Sequence, residues 1–216
     1  MQVFVATNNA GKFTELQAIF GRFGWMLERH AAYRDVVEGD TSYAANAALK
    51  AQALATLLHE RKTPAAVLGD DSGLEVAALG GRPGVLSARY GGPTATWSER
   101  RRALLEELAA TGTTDRRARF VCALHLIRAD GRAFSVERGL AGEIASHERG
   151  AGGFSYDPLF VYVPLGLTFG ELDERTKNAV SHRAAAVQAL VEANASAGAG
   201  SPDISTRAGK ASPTGT

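Results

Sequence analysis

Apolar positions along this chain follow two periods, and their alternation predicts short strands interleaved with amphipathic helices. Gln2 to Ala6 is a β-rich run leading into the polar segment Thr7-Asn8-Asn9-Ala10-Gly11-Lys12. After it Phe13, Leu16, Phe20 and Phe23 recur at spacings of three and four, which predicts a helix with one aromatic face turned inward. Glu28 to Asp40 is polar and irregular. Thr41 or Ser42 then caps a second helix, whose stripe of Ala44, Ala47, Ala48, Ala51, Leu54, Ala55 and Leu58 is narrow enough for close packing. Thr96-Trp97-Ser98-Glu99 is a capping-box pattern opening a helix with Leu104, Leu105 and Leu108 buried. Arg119 to Ile127 and Ala133 to Leu140 read as strands of a hairpin turning through Asp130-Gly131. A glycine-rich loop, Gly150 to Pro158, feeds the apolar run Leu159 to Val163. From Glu171 to Ala195 the chain reads as helical around Val187, Leu190 and Val191, with Ser181 a candidate N-cap. The pattern therefore predicts one α/β domain over residues 1–195, and a disordered Ala-, Gly-, Ser- and Pro-rich tail over 196–216.

The stretch Val67 to Tyr90 organises the rest. Ala65 to Leu68 is an apolar run that suits a buried strand, preceded by Pro64 and closed by Gly69, so Asp70 and Asp71 are expected at a strand end, before a glycine-punctuated hairpin or loop. Successive residues of an extended chain point to opposite sides, so one of the two aspartates faces a given cleft. Carboxylates there can hold a hard cation or take a proton from water; Asp-Asp-Ser-Gly is equally an ordinary solvated turn. The turn from Thr7 to Lys12 sits at a helix N-terminus, where unpaired N–H groups and the Lys12 ammonium make an anion site. It lacks the Walker spacing. Phe154 and Tyr156 in the glycine-rich loop could stack on a flat ligand or plug the core.

Composition narrows this further. The chain has 216 residues, 45% of them hydrophobic, enough for one well-cored domain. A net charge of +1 leaves no footprint for a nucleic-acid polymer, and the clusters at Arg100 to Arg102 and at Arg116, Arg117 and Arg119 read as solvated faces. The single cysteine, Cys122, lies in an apolar run, so a core thiol in reducing cytoplasm is expected. No apolar run approaches a membrane span, and a strand stands where a signal peptide would.

Five segments in order, ATNNAGKFTEL, EGDTSYAANAALKA, DDSGLEVAALGGRPGVLSARYGG, GGFSYDPLF and the terminal SHR, resemble the inosine triphosphate pyrophosphatases, the Ham1 or RdgB-like enzymes. The likeness spans Val3 to Leu190. It implies a long mixed β-sheet flanked by helices, with two lobes and a central cleft, and hydrolysis of ITP, dITP and XTP to monophosphate and pyrophosphate. It implies that Thr7, Asn8, Asn9, Ala10, Gly11 and Lys12 hold the triphosphate, with Lys50 assisting and Ser72 touching substrate. Asp71 would bind Mg2+ and accept the proton of the attacking water, with Glu38 the second metal carboxylate and Asp70 supporting. Phe154 would pack on the purine, Ser155 and Tyr156 belong to the same loop, Asp157 and Lys177 would line the nucleoside pocket, and His182 with Arg183 would read the base edge. A homodimer is implied by the same likeness. Two positions depart from the pattern: Ala45 replaces a usual Glu, and Ser155 a usual Gly, which keeps the loop only if no positive φ is needed there. A Maf-like pyrophosphatase of other base specificity is the nearest competing enzyme, and the Gly-Phe-Ser-Tyr-Asp and Ser-His-Arg segments argue against it. A nucleotide sensor without hydrolysis would be expected to have lost Glu38, Asp70, Asp71 or Lys12, and all four are present.

Overall fold

The computed structural model describes residues 1–197; the predicted tail lies outside the described residues but for Ser196, which closes the last helix, and Ala197. Strand β1 (Gln2–Ala6) leads to α1 (Ala10–Gly21) and β2 (Met26–Arg29), and α2 (Tyr43–Glu60) precedes the long β3 (Ala66–Val76). A two-residue β4 (Pro83–Gly84) and α3 (Trp97–Ala110) follow, then β5 (Arg117–Ile127) and β6 (Ala133–Ile144). Short strands β7 (Phe160–Tyr162) and β8 (Leu167–Thr168) and helices α4 (Glu174–Val180) and α5 (His182–Ser196) complete it. The sheet runs β2-β1-β3-β5-β6-β7-β8, with β4 on β3. Among the described residues only β1 pairs in parallel, with β2 and β3; every other ladder is antiparallel, so the sheet is mixed as expected.

Local chemistry accounts for the helix starts. Asn9, Ser42, Thr96, Asp173 and Ser181 each accept a backbone N–H of the first turn, and Thr96 with Glu99 completes a reciprocal capping box. Gly131 takes φ +84 in the turn between β5 and β6.

Four expectations are corrected. Strand β3 does not end at Gly69; it continues to Val76, because β5 pairs with it from Val67 to Val76. Gly69 is a close-approach residue: a Cβ there would stand 2.9 Å from the Ala51 nitrogen and collide with the Ala47 carbonyl, so α2 lies directly on the strand. Glu28 and Arg29, the first residues of the stretch expected to be irregular, close strand β2 and pair with β1. Phe23 lies past the end of α1 and is exposed, so the inward face is Leu16, Ile19 and Phe20.

Two large apolar clusters divide the molecule along β3. Leu68 joins Val3, Val5, Leu16, Phe20 and Val187 in one; Leu74 and Val76 join Leu104, Phe120, Phe160 and Phe169 in the other. The polar segment Asp70 to Gly73 spans the gap, which places chemistry between two lobes.

Candidate active site

Alternation along β3 separates the adjacent aspartates. Asp70 faces α1 and α5, where Lys12 pairs with it at 2.7 Å, Ser72 donates to it at 2.9 Å and the Cys122 thiol lies 3.4 Å away. Asp71 faces α2, accepting from Lys50 at 3.0 Å and from Asn46 at 3.1 Å. Burial alone would raise both carboxyls. For Asp70 the charges of Lys12 and Arg183 win and hold it well below the usual range; for Asp71 burial, helped by Glu38, prevails over Lys12 and Lys50, and its pKa is raised.

Lys50 is buried, not solvent-facing: its ammonium bridges Asp71 and Glu38, the latter at 2.5 Å, and stays charged because these carboxylates outweigh its desolvation. Asn46, one helical turn earlier on α2, also bonds the Gly39 N–H and carbonyl and so fixes the loop that carries Glu38. Asn46 escaped the sequence reading; the signal was an amide on the apolar stripe of a helix. Ala45, where the family likeness led to the expectation of an acid, is exposed.

On the other side lies a second charged cluster. Glu15, from the inward face of α1, pairs with both Lys177 of α4 and Arg183 of α5, and Lys177 also meets Asp157 at 2.5 Å. Both cations lie under the Phe154 ring, at 4.9 and 5.3 Å from its centre. Burial raises the Asp157 carboxyl, whereas at Glu15 Arg183 and Lys177 overcome burial and keep it below the ordinary range. Glu15 was missed as well, although a lone acid beside Leu16 and Ile19 on the buried face of α1 marks it. His182 stacks on Phe120 at 4.7 Å, its Nδ1 buried without a partner among the described residues. Burial, with Arg183 and Lys177 nearby, drives its pKa far down, so the ring is neutral.

Between the two clusters opens a cleft. Of the expected residues Asn9, Lys12, Glu38, Asp71, Ser72, Phe154, Ser155, Tyr156, Asp157, His182 and Arg183 line it. Thr7, Asn8, Ala10, Gly11, Lys50 and Lys177 stand behind or beside that wall. The Asn9 side chain is engaged as the α1 cap, accepting from the Lys12 N–H at 3.0 Å, and the Ser72 hydroxyl is turned to Asp70. A Cβ on Gly11 would come within 3.0 Å of Phe154, so the ring lies over the start of α1. Tyr156 is fully buried and donates its hydroxyl to the Ser87 carbonyl, which makes it the loop's anchor. Ser155 does sit at positive φ, +62, so the condition for painless replacement of glycine is not met. The clusters of arginine also divide: Arg100 and Arg101 turn inward, and only Arg102 of that trio is a solvated face.

Among the described residues no group of three or more acidic, His or Cys side chains forms a metal cluster. Asp71 and Glu38 nonetheless converge on one cation, and two hard carboxylates open to a cleft suit a divalent ion completed by phosphate oxygens and water. No helix among the described residues is long and apolar enough to cross a membrane.

A model of the Ham1 family matches residues 3–193. A dITP/XTP pyrophosphatase of Exiguobacterium sibiricum is 42% identical, covering 88% of this chain and 95% of its own. One of Thermus thermophilus is 45% identical over 89% of this chain and 91% of its own. Among solved structures, a HAM1 protein from Coxiella burnetii aligns with TM-score 0.76 at 33% identity, over 91% of this chain and 99% of that one. The Staphylococcus aureus Ham1 protein does so with TM-score 0.76 at 34% identity, over 92% of this chain and all of that one.

Proposed function

This chain belongs to the Ham1 family, and on that footing we propose that it hydrolyses dITP, ITP and XTP to the nucleoside monophosphate and pyrophosphate. The observation that carries the reading is the cleft itself, with a carboxylate pair bridged by Lys50 at one wall and an aromatic ring backed by two cations at the other.

The triphosphate would lie along the start of α1, where free backbone N–H groups and Lys12 meet it, Lys12 exchanging Asp70 for phosphate oxygen. Asp71 and Glu38 would hold Mg2+, which when bound offsets phosphate charge and favours an oriented water. Asn46 and Lys50 hold the Asp71 carboxylate in place to accept the proton of that water. Phe154 would cover the purine face. Donors of Arg183 would meet the 6-oxo group of hypoxanthine and xanthine; adenine offers an amino group there, and two facing donors leave both unpaired. The buried Cys122 thiol, free of any disulfide, agrees with a cytoplasmic enzyme, and we take it to be a homodimer by the family likeness.

The test is pyrophosphate release from ITP, dITP, XTP, GTP, ATP and dTTP, with Mg2+ and with chelator. Metal-dependent release from the first three, the others far slower, is expected; Asp71→Asn should lower kcat by at least about 10²-fold. Binding of ITP with no release from any triphosphate would replace hydrolysis by a sensor, and preference for dTTP would overturn the base assignment.

A further inference from the structure

Arg101 is not itself part of the cleft lining and does not touch the carboxylate pair, yet it is folded inward from α3, its side chain 14% exposed beside an Arg102 that is 70% exposed. Its Nη1 donates to the Ser155 carbonyl at 2.8 Å while Nη2 pairs with Glu148 at 2.9 Å. The residues around Ser155 have other anchors. The Phe154 N–H donates to Asp157 at 2.6 Å, Asp157 is held by Lys177, and Tyr156 is tied to the Ser87 carbonyl at 3.0 Å. Ser155 carries a Cβ at φ +62, a conformation that a side chain disfavours, and among the described residues its backbone carbonyl is held by Arg101 alone. One turn earlier on α3, Trp97 packs edge-on against Tyr156 at 5.6 Å. Helix α3 thus presents two consecutive side chains of one face to the loop, one for each of two consecutive loop residues.

We propose that Arg101 is a positioning residue for the nucleobase pocket, clamping the strained Ser155 peptide so that the Phe154 ring stays over the start of α1. The proposal rests on the base-binding role given to Phe154 above. Without the clamp the peptide relaxes toward negative φ and carries the neighbouring ring away from Gly11, where a Cβ would come within 3.0 Å of it. The Asp71, Lys50 and Glu38 group lies on the opposite wall and is untouched, so ground-state binding of the base changes and the chemical step does not.

In the full chain, Arg101→Met is expected to raise KM for ITP about tenfold, with kcat within about twofold of the parent. Arg101→Lys, which keeps one donor, should recover part of that loss. Adding Ser155→Gly to Arg101→Met should recover part as well, because glycine adopts positive φ without a clamp. Amide hydrogen exchange at residues 154–157, followed without nucleotide, should quicken in Arg101→Met. An unchanged KM with unchanged exchange, or a fall in kcat at constant KM, overturns the proposal. Should the parent enzyme prove inert toward every triphosphate, the functional reading fails while the exchange experiment still decides the clamp. If Arg101→Met does not fold, Glu148→Gln serves instead: it loosens the guanidinium and is expected to raise KM two- to threefold, roughly, at constant kcat, and no shift in KM overturns the clamp.

Discussion

Replacing Gly69 by alanine tests how the active-site helix is seated. The added methyl would lie 2.9 Å from the Ala51 nitrogen and 3.0 Å from the Ala47 carbonyl carbon, inside contact distance of helix backbone that has no rotamer with which to yield. Relief requires α2 to retreat from β3 by about an ångström, which opens its packing across Ala47, Ala51 and Leu54; overpacking of this kind costs about 3 kcal/mol. For a domain of this size that lowers Tm by roughly 6 to 12 °C. The same retreat pulls Asn46 and Lys50 away from Asp71, so turnover should fall more than tenfold, roughly, even where the protein remains folded. The control is Gly21→Ala at the end of α1, where a Cβ meets nothing within 4 Å. There the same chemical change should be neutral or stabilise by about 0.5 kcal/mol. Urea midpoints and ITP turnover for both variants decide the matter. A Gly69→Ala protein within about 1 kcal/mol of the parent and fully active would refute the claim that close approach of α2 requires glycine.

Ser155→Gly alone should stabilise the protein by about 0.5 to 1 kcal/mol by removing left-handed strain, whereas Ser155→Ala should not; urea denaturation of the two distinguishes strain from loss of the hydroxyl. His182 titrates low because it is buried, with Arg183, Lys177 and Lys12 opposing its protonation and Asp70 only partly offsetting them. The unfolded chain therefore binds the proton first: stability is full above about pH 6.5 and falls as pH drops below it, by up to about 1.4 kcal/mol per pH unit. His182→Gln should flatten the urea midpoints between pH 5 and 7, and an undiminished slope would count against the buried neutral ring. Lys50→Met should leave Glu38 and Asp71 facing each other without their shared cation, lowering ITP turnover at least about tenfold and making the protein more sensitive to Mg2+ removal in thermal melts.

What the sequence determined by itself was local or carried by ordered motifs. The caps at Thr41 or Ser42, Thr96 and Ser181, the turn at Asp130-Gly131 and the alternation of periods each depend on neighbours a few residues away, so they were legible directly. The five motifs likewise carry Asn9, Lys12, Glu38, Asp71, Ser72, Phe154, His182 and Arg183, which line one cleft. Tertiary structure decided everything that depends on a distant partner. Strand β3 runs through its polar segment because β5, some fifty residues later, pairs with all of it. Lys50 is buried and Gly69 is required because α2 lies on that strand, and neither fact is written in the residues beside them. Strand alternation says only that Asp70 and Asp71 part; the family likeness implied the roles, and the side on which α2 packs decides which one meets Lys50 and the cleft. Glu15, Asn46 and Arg101 sit on patterns of ordinary helices, and their charges and amides acquire meaning only when Arg183, Gly39 and Ser155 arrive from elsewhere in the chain.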